Sequence, residues 1–247
     1  MAGDLIVSTI NGGAIGTKNV IINGNFGINQ RAVTGSVVLS AGVYGHDRFK
    51  AGASGCSYTF ATSANVTTLT ISAGSLIQVV EGINLQTGTY TLSWTGTAQG
   101  KIGGGSYASS GTTGSATGGT NLNVEFNTGT ISLVQLEAGS TATEFEHRQY
   151  GTELGLCQRY YQQPIDSGLD FFAGYFVNGN YGPGVFDTWV VEMRATPTVV
   201  LTLGSLNAVG SVAVNYFNSK RFHLNPTANA TSNGFYYVAK LTASAEL

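Results

Sequence analysis

A chain of 247 residues is long enough for one large domain or two of ordinary size, each able to bury a core. Only 10% of its residues are charged, and the formal net charge of −2 lacks the clustered cations that displace counterions from nucleic acid. No apolar run approaches the roughly 18–20 residues that cross a bilayer, so neither nucleic-acid binding nor membrane insertion is expected. The start, MAGDLIVSTINGG, lacks the basic region and long apolar core of a secretory leader.

The 35 glycines, four prolines and 11% aromatic residues, set among Thr, Ser, Val and Asn, are the composition of short strands joined by tight turns. Cys56 and Cys157 make no disulfide framework for a chain this size and read as buried free thiols made in a reducing cytoplasm.

Residues 1–18 carry Leu5-Ile6-Val7 and then NGGAIG. They read as an arm that docks on a partner or a neighbouring subunit, with a frayed terminus as the alternative. From Asn19, Val20-Ile21-Ile22 predicts a short buried strand and Asn23-Gly24-Asn25 a turn. Further strands are expected at 37–39, 58–61, 66–71, 77–80, 89–95, 121–126 and 130–136, with Gly, Ser, Asn or Thr between them. This spacing predicts a jelly-roll-like antiparallel β-sandwich over 19–150. Tyr90, Leu92 and Trp94 alternate with polar residues, as do Leu122, Val124 and Phe126, and Ile131 with Leu133, Val134 being the alternative to Leu133, placing each set on one face. The Gly-rich stretch 100–120 lacks the order of a phosphate loop, because Ile follows Lys101; it is expected to be a mobile loop or an edge hairpin.

After Gly151 the period changes. Thr152 is placed to cap, Glu153 falls in the first turn, and Leu154, Cys157, Tyr160 and Tyr161 share a face. A linker helix over 151–163 is predicted, stopped by Pro164, and its tyrosine face must be covered by a sandwich or by another copy of the chain. A second β-pattern follows, at 171–176, 184–190, 198–203, 209–216, 220–224 and 235–241. It predicts a C-terminal β-sandwich over 164–247, with Val212, Val214 and Tyr216 on one face and Tyr237, Ala239 and Leu241 on another. The fold class is therefore all-β: two antiparallel sandwiches joined by one short helix. A single larger sandwich split by the helix is the alternative.

His46, His147 and His223 stand far apart, no His-x-x-x-His or Cys-x-x-Cys spacing exists, and no metal ligand set is predicted. There is no Gly-x-Ser-x-Gly elbow, and nothing marks two glutamates as the facing pair that glycoside hydrolysis requires. No catalysis and no cofactor are expected; a structural calcium on strand-end carboxylates is the one ion left open. Asp47-Arg48 and Glu146-His147-Arg148 read as ion pairs that fix a strand end to its neighbour. Aromatic rings that stack on the C–H faces of sugars suit so uncharged a chain. The candidates are Tyr58, Trp94 and Tyr107 in the first sandwich and Tyr181 and Trp189 in the second; for Trp94, with Tyr90, plain core is the competing reading.

The stretch LVQLEAGSTATEFEHRQYGTELGLCQRYYQ (133–162) is very similar to a segment found in tail-fibre and tail-spike proteins of phages and prophages. In those proteins QLE-x-G-x-x-A-T-x-F-E-x-R closes a jelly roll and ELxLCQRYYQ opens the next segment. Asn23–Phe26 with Ile28–Arg31, then Asp47–Phe49, then Gly88–Trp94 match in the same order, and Met193–Thr198 resembles the MRA-x-PT signature of their C-terminal block. The resemblance implies a carbohydrate-binding-module-like jelly roll, a second sandwich at a fibre tip, and a homotrimer with Leu154, Cys157, Tyr160 and Tyr161 at the subunit interface. It implies a virion tail protein, made in the bacterial cytoplasm, that recognises a bacterial surface polysaccharide and joins other tail or baseplate proteins through residues 1–18. A purely structural tail protein and a polysaccharide depolymerase are the alternatives. In this reading 133–163 is a joint and a clamp, not the ligand site.

Overall fold

The computed structural model describes residues 9–10, 13–14, 18–215 and 217–247. The chain divides into two compact units, one running to Glu153 and including Leu247, the other spanning Leu154–Glu246. Both are antiparallel β-structures, and α1 (Tyr150–Gln158), the one α-helix among the described residues, spans the division.

At the N-terminus, β1 (Thr9–Ile10) pairs with β2 (Gly13–Ala14). Leu5-Ile6-Val7 and the rest of the expected attachment arm, apart from these two strands and Lys18, lie outside the described residues. The first unit is then built on β3 (Val37–Leu39), β4 (Phe49–Ser63), β5 (Val66–Val80), β6 (Gly88–Thr95), β7 (Gly100–Ile102), β8 (Thr112–Ala116), β9 (Leu122–Phe126) and β10 (Gly129–Ala138). The strands run β3-β4-β5-β10-β6-β8, with β9 on β5 and β7 on β9.

Two strands carry the chain between layers. Leu69–Ile71 of β5 pairs with β10, whereas Leu76–Val80 pairs with β9. Likewise β10 begins on β5 and ends on β6. The stretches expected as two strands, 66–71 and 77–80, are thus one continuous strand. β4 turns into β5 through Ala64-Asn65, both at positive φ (49° and 62°), the two-residue hairpin geometry that suits strand twist. The buried faces of these strands enclose one core, with Phe49, Leu69, Leu92, Val124, Phe126, Ile131, Val134 and Leu136 among its fully buried members.

The alternation along β6 and β9 is as the sequence predicts, but β10 departs from it. Its register shifts between Ser132 and Gln135, where Leu133 takes a φ of 51°. This bulge moves the buried set from Leu133 to Val134 and Leu136. In the Gly-rich stretch, β7 pairs with β9 and β8 with β6. It is thus neither a loop throughout nor a hairpin, since its two strands bind different partners. Val20-Ile21-Ile22 is no strand either. Its backbone is satisfied by other means, described below.

The second unit comprises β11 (Tyr161–Phe176), β12 (Val185–Thr188), β13 (Thr198–Asn207), β14 (Val209–Asn215), β15 (Arg221–Ala228) and β16 (Ser232–Ser244). They form two three-stranded sheets, β11-β16-β13 and β12-β15-β14. Phe176, Trp189, Phe222, Leu224, Tyr236, Val238 and Leu241 lie in its core. In β16 the buried side chains are those of Tyr236 and Val238, then Leu241 and Ala243. The pairing with β13 shifts at Ala239, so the expected face of Tyr237 and Ala239 is the outer one. Tyr216, expected on one face with Val212 and Val214, lies outside the described residues.

The helix is shorter than predicted and lies earlier. It starts at Tyr150, so Thr152 is inside it and not its cap, and it ends at Gln158. The Tyr160 N–H closes back on the Cys157 carbonyl at 2.9 Å, and Tyr161 opens β11. Pro164 therefore stops no helix. It sits in an edge strand at a register shift between Gln162 and Ile165, where a missing N–H costs no ladder bond.

Candidate ligand cleft

The residues that carry the family resemblance build a frame of buried polar contacts. Asn23, fully buried at a φ of 61°, donates from its side-chain amide to the carbonyls of Ile28 (2.8 Å) and Asp47 (3.0 Å), and its Oδ1 accepts from the Ile28 N–H (2.9 Å). The Asp47 carboxylate, also buried, accepts from the Gln30 N–H (2.6 Å) and side chain (2.8 Å) and lies 3.5 Å from Arg31. Arg48 donates to the Val79 carbonyl at 2.7 Å. Gly24 packs its α-carbon against the Val134 backbone, where any Cβ would collide with the carbonyl oxygen. The segments 23–31 and 47–49 thus hold each other without a ladder.

The QLE motif works in the same way. Glu137, 2% exposed, accepts from Gln135 (2.8 Å) and from the N–H (2.8 Å) and hydroxyl (2.7 Å) of Thr143. Gln135 in turn accepts the Glu146 N–H at 2.8 Å. Arg148 donates to the carbonyls of Asn19 and Ile21 and pairs with Glu153 (3.3 Å) and Glu146 (3.7 Å). The Asn23 N–H also donates to Glu153. The expected ion pair is therefore one part of a clamp that fastens residues 19–23 to the segment following β10.

Beside this clamp lies a cleft of about 510 Å³, a size that takes a small ligand. Its walls are Asn25, Gly27 and Ile28, then Thr62, Asn65 and Thr67 around the β4–β5 hairpin, then His147, Arg148, Tyr150 and Glu153. Tyr150 is 67% exposed on its rim. Amide and hydroxyl groups thus border an open hollow beside an aromatic ring, while the Arg148 guanidinium in its wall is engaged in the clamp. A second cleft of about 410 Å³ is lined by Ser93–Thr95, Leu133 and Thr143–Phe145, with His147 again.

The residues singled out in the sequence do not come together. Tyr58 and Trp94 are buried at 1% and 6% exposure. The Tyr58 hydroxyl lies 3.0 Å from His46 Nδ1, and burial pushes it up to about 12. The Trp94 indole donates to the Ala98 carbonyl at 3.1 Å and packs edge-on against Phe126, so it offers no open face, although it helps to floor the second cleft. Trp189 is also core, stacked on Phe222 with its N–H on the Asn218 carbonyl at 2.7 Å. For these three the structure corrects the reading as ligand platforms, because their rings are spent on packing. Tyr107 is half-buried under Lys101, whose Nζ lies 4.7 Å from its ring centre. Tyr181 is exposed at 73%.

The expected interface set fares similarly. Cys157, Tyr160 and Tyr161 are buried within the chain and Leu154 is half-buried, so they leave no open tyrosine face for another copy. Cys56 and Cys157 are buried free thiols, and burial pushes Cys56 up to about 11.

One further polar cluster lies on β5, β7 and β9. Glu125 accepts from Ser75 (2.6 Å) and pairs with Lys101 (2.9 Å). Burial raises its carboxyl, but hydrogen bonds from Ser75, Lys101 and Tyr107 outweigh this and hold it below the usual carboxylate range. With its lone pairs engaged, the group serves the sheet. Among the described residues no group of three His, Cys, Asp or Glu side chains is placed to hold a metal ion, and no helix is long and apolar enough to cross a membrane.

No family model, curated protein or solved structure gives a significant match to this chain. The functional reading therefore rests on the site and on the sequence resemblance.

Proposed function

We propose that the chain is a phage tail-fibre or receptor-binding protein that holds a bacterial surface glycan, without catalysis, in the cleft between the β4–β5 hairpin and His147–Glu153. The observation that carries this reading is the cleft's lining: the amides of Asn25 and Asn65 and the hydroxyl of Thr62 around a hollow rimmed by exposed Tyr150. Such groups fork hydrogen bonds to hydroxyl pairs while a ring covers the C–H face of a sugar, and few of them need charge. The absence of catalysis is supported by the cleft's one carboxylate, Glu153, which Arg148 and the Asn23 N–H already engage. Glycoside hydrolysis needs two carboxyl groups across the scissile bond. The test is a glycan array of bacterial capsules and lipopolysaccharides: retention of at least one supports the reading, and retention of none refutes it. Release of reducing ends from a retained polysaccharide would instead support the depolymerase.

A second reading, a structural tail or baseplate protein, is favoured by the second unit. Its edge strand β13 runs ten residues, TVVLTLGSLN, without a charge, and uncharged edges invite pairing with another chain. The trimer belongs to this proposal too, but with contacts other than the buried tyrosines of 160–161.

A further inference from the structure

His147 lines both of these clefts, the one residue their walls share. It is exposed, and its ring meets Phe145 edge-on at 4.9 Å, so the two form a ridge with a hollow on either side. On one side stand Asn25, Asn65 and Tyr150; on the other Ser93, Thr95 and Glu144. Both hollows open to solvent, and both present hydroxyl, amide or carboxylate groups beside an apolar surface. Two backbone features described above bring residues of the second hollow to its wall. The β10 bulge turns Leu133 out of the core, and Glu137 draws Thr143 back so that Glu144–His147 crosses the sheet end.

We propose that the two clefts work as one groove astride His147, and that the ligand is an internal stretch of a linear polysaccharide, with consecutive sugars on either side of the ridge. This rests on the reading of the first cleft as a glycan site. A site for a chain end has one blind pocket, which closes over the terminal sugar. Two open hollows that share a wall impose no end, and they reward length: the second hollow adds contacts only when the chain is long enough to cross the ridge. Binding both at once makes the second contact intramolecular, so affinity rises with chain length without new chemistry at the first.

The test uses the full chain and length-fractionated oligosaccharides, from a single repeat to several, prepared from whichever bacterial polysaccharide it retains on the array. Affinity is measured by calorimetry for the wild type, for Tyr150→Ala in the first hollow and for Thr95→Tyr, which fills the second from an exposed position. The groove predicts at least tenfold tighter binding of several repeats than of one. It predicts that Thr95→Tyr abolishes this gain with an unchanged melting temperature, which reports an intact fold. Equal affinity for one repeat and several, or a length gain that survives Thr95→Tyr, overturns the groove and leaves the glycan site standing. Loss of all binding in Thr95→Tyr with an unchanged circular dichroism spectrum also overturns it. No retention of any polysaccharide removes the glycan reading and the groove together.

Discussion

The side-chain amide of Gln78 completes both backbone hydrogen bonds of Ile22: its Oε1 accepts the Ile22 N–H at 2.8 Å and its Nε2 donates to the Ile22 carbonyl at 2.7 Å. Gln78 is 1% exposed, Ile22 8%, and no ladder among the described residues includes residues 20–22, although the Val20 N–H donates to the Leu136 carbonyl of β10 at 2.9 Å. One buried amide thus replaces a ladder rung, which is how an irregular segment is held in the core.

Gln78→Leu keeps the bulk but strands a buried N–H and a buried carbonyl. Each unpaired group costs about 1–3 kcal/mol. The urea midpoint is expected to fall accordingly with little change in slope. An unchanged midpoint would mean that water replaces the amide.

Arg148→Met removes the donors to the Asn19 and Ile21 carbonyls and leaves Glu146 and Glu153 without their cation. Losing these half-buried, charge-assisted contacts is expected to cost about 1.5–3 kcal/mol. Arg148→Lys should recover little, because a point charge does not reach two carbonyls and two carboxylates as a planar fork does. Thermal melts of both variants check this.

His46 is buried against Phe60 and Tyr58, and burial depresses its pKa from 6.5 to about 4. The unfolded chain binds this proton first, so the contribution is fully present above pH 6.5 and is lost as pH falls towards 4. Urea titrations at pH 7, 5.5 and 4 should show stability declining across that window. His46→Phe should flatten the decline, whatever its effect at pH 7.

Trp94→Ala and Trp189→Ala each empty a packed site, and large-to-small changes of this kind cost about 3–5 kcal/mol. Both should lower the melting temperature. An unchanged melt with lost glycan binding would return these rings to the ligand.

Strand positions were legible wherever one face alternated cleanly, as in Tyr90-Leu92-Trp94 and Leu122-Val124-Phe126. The reading slipped by one residue at Leu133 and at Ala239, where a bulge reverses the faces. Leu133 there adopts a positive φ, which its side chain does not advertise. The helix was drawn too long because Tyr160 and Tyr161 continue its apolar spacing, although Tyr161 already belongs to β11. An aromatic residue in a β-rich sequence says little about exposure: Trp94 and Trp189 had to be placed before they proved to be core. The cleft was invisible for another reason. Its residues come from 25–28, 62–67 and 147–153, none of them remarkable alone, and only the clamp around Arg148 brings them together. Within the stretch 133–163, residues 135–153 fasten residues 19–23 inside the first unit and also supply a cleft wall.

The most direct test is binding of purified bacterial surface polysaccharide to the wild type, to Tyr150→Ala and to Asn65→Gly, which removes the amide yet tolerates the positive φ of the hairpin turn. The account predicts that the wild type binds and that each variant loses at least tenfold in affinity with an unchanged melting temperature. Wild-type binding that both variants retain in full would contradict it.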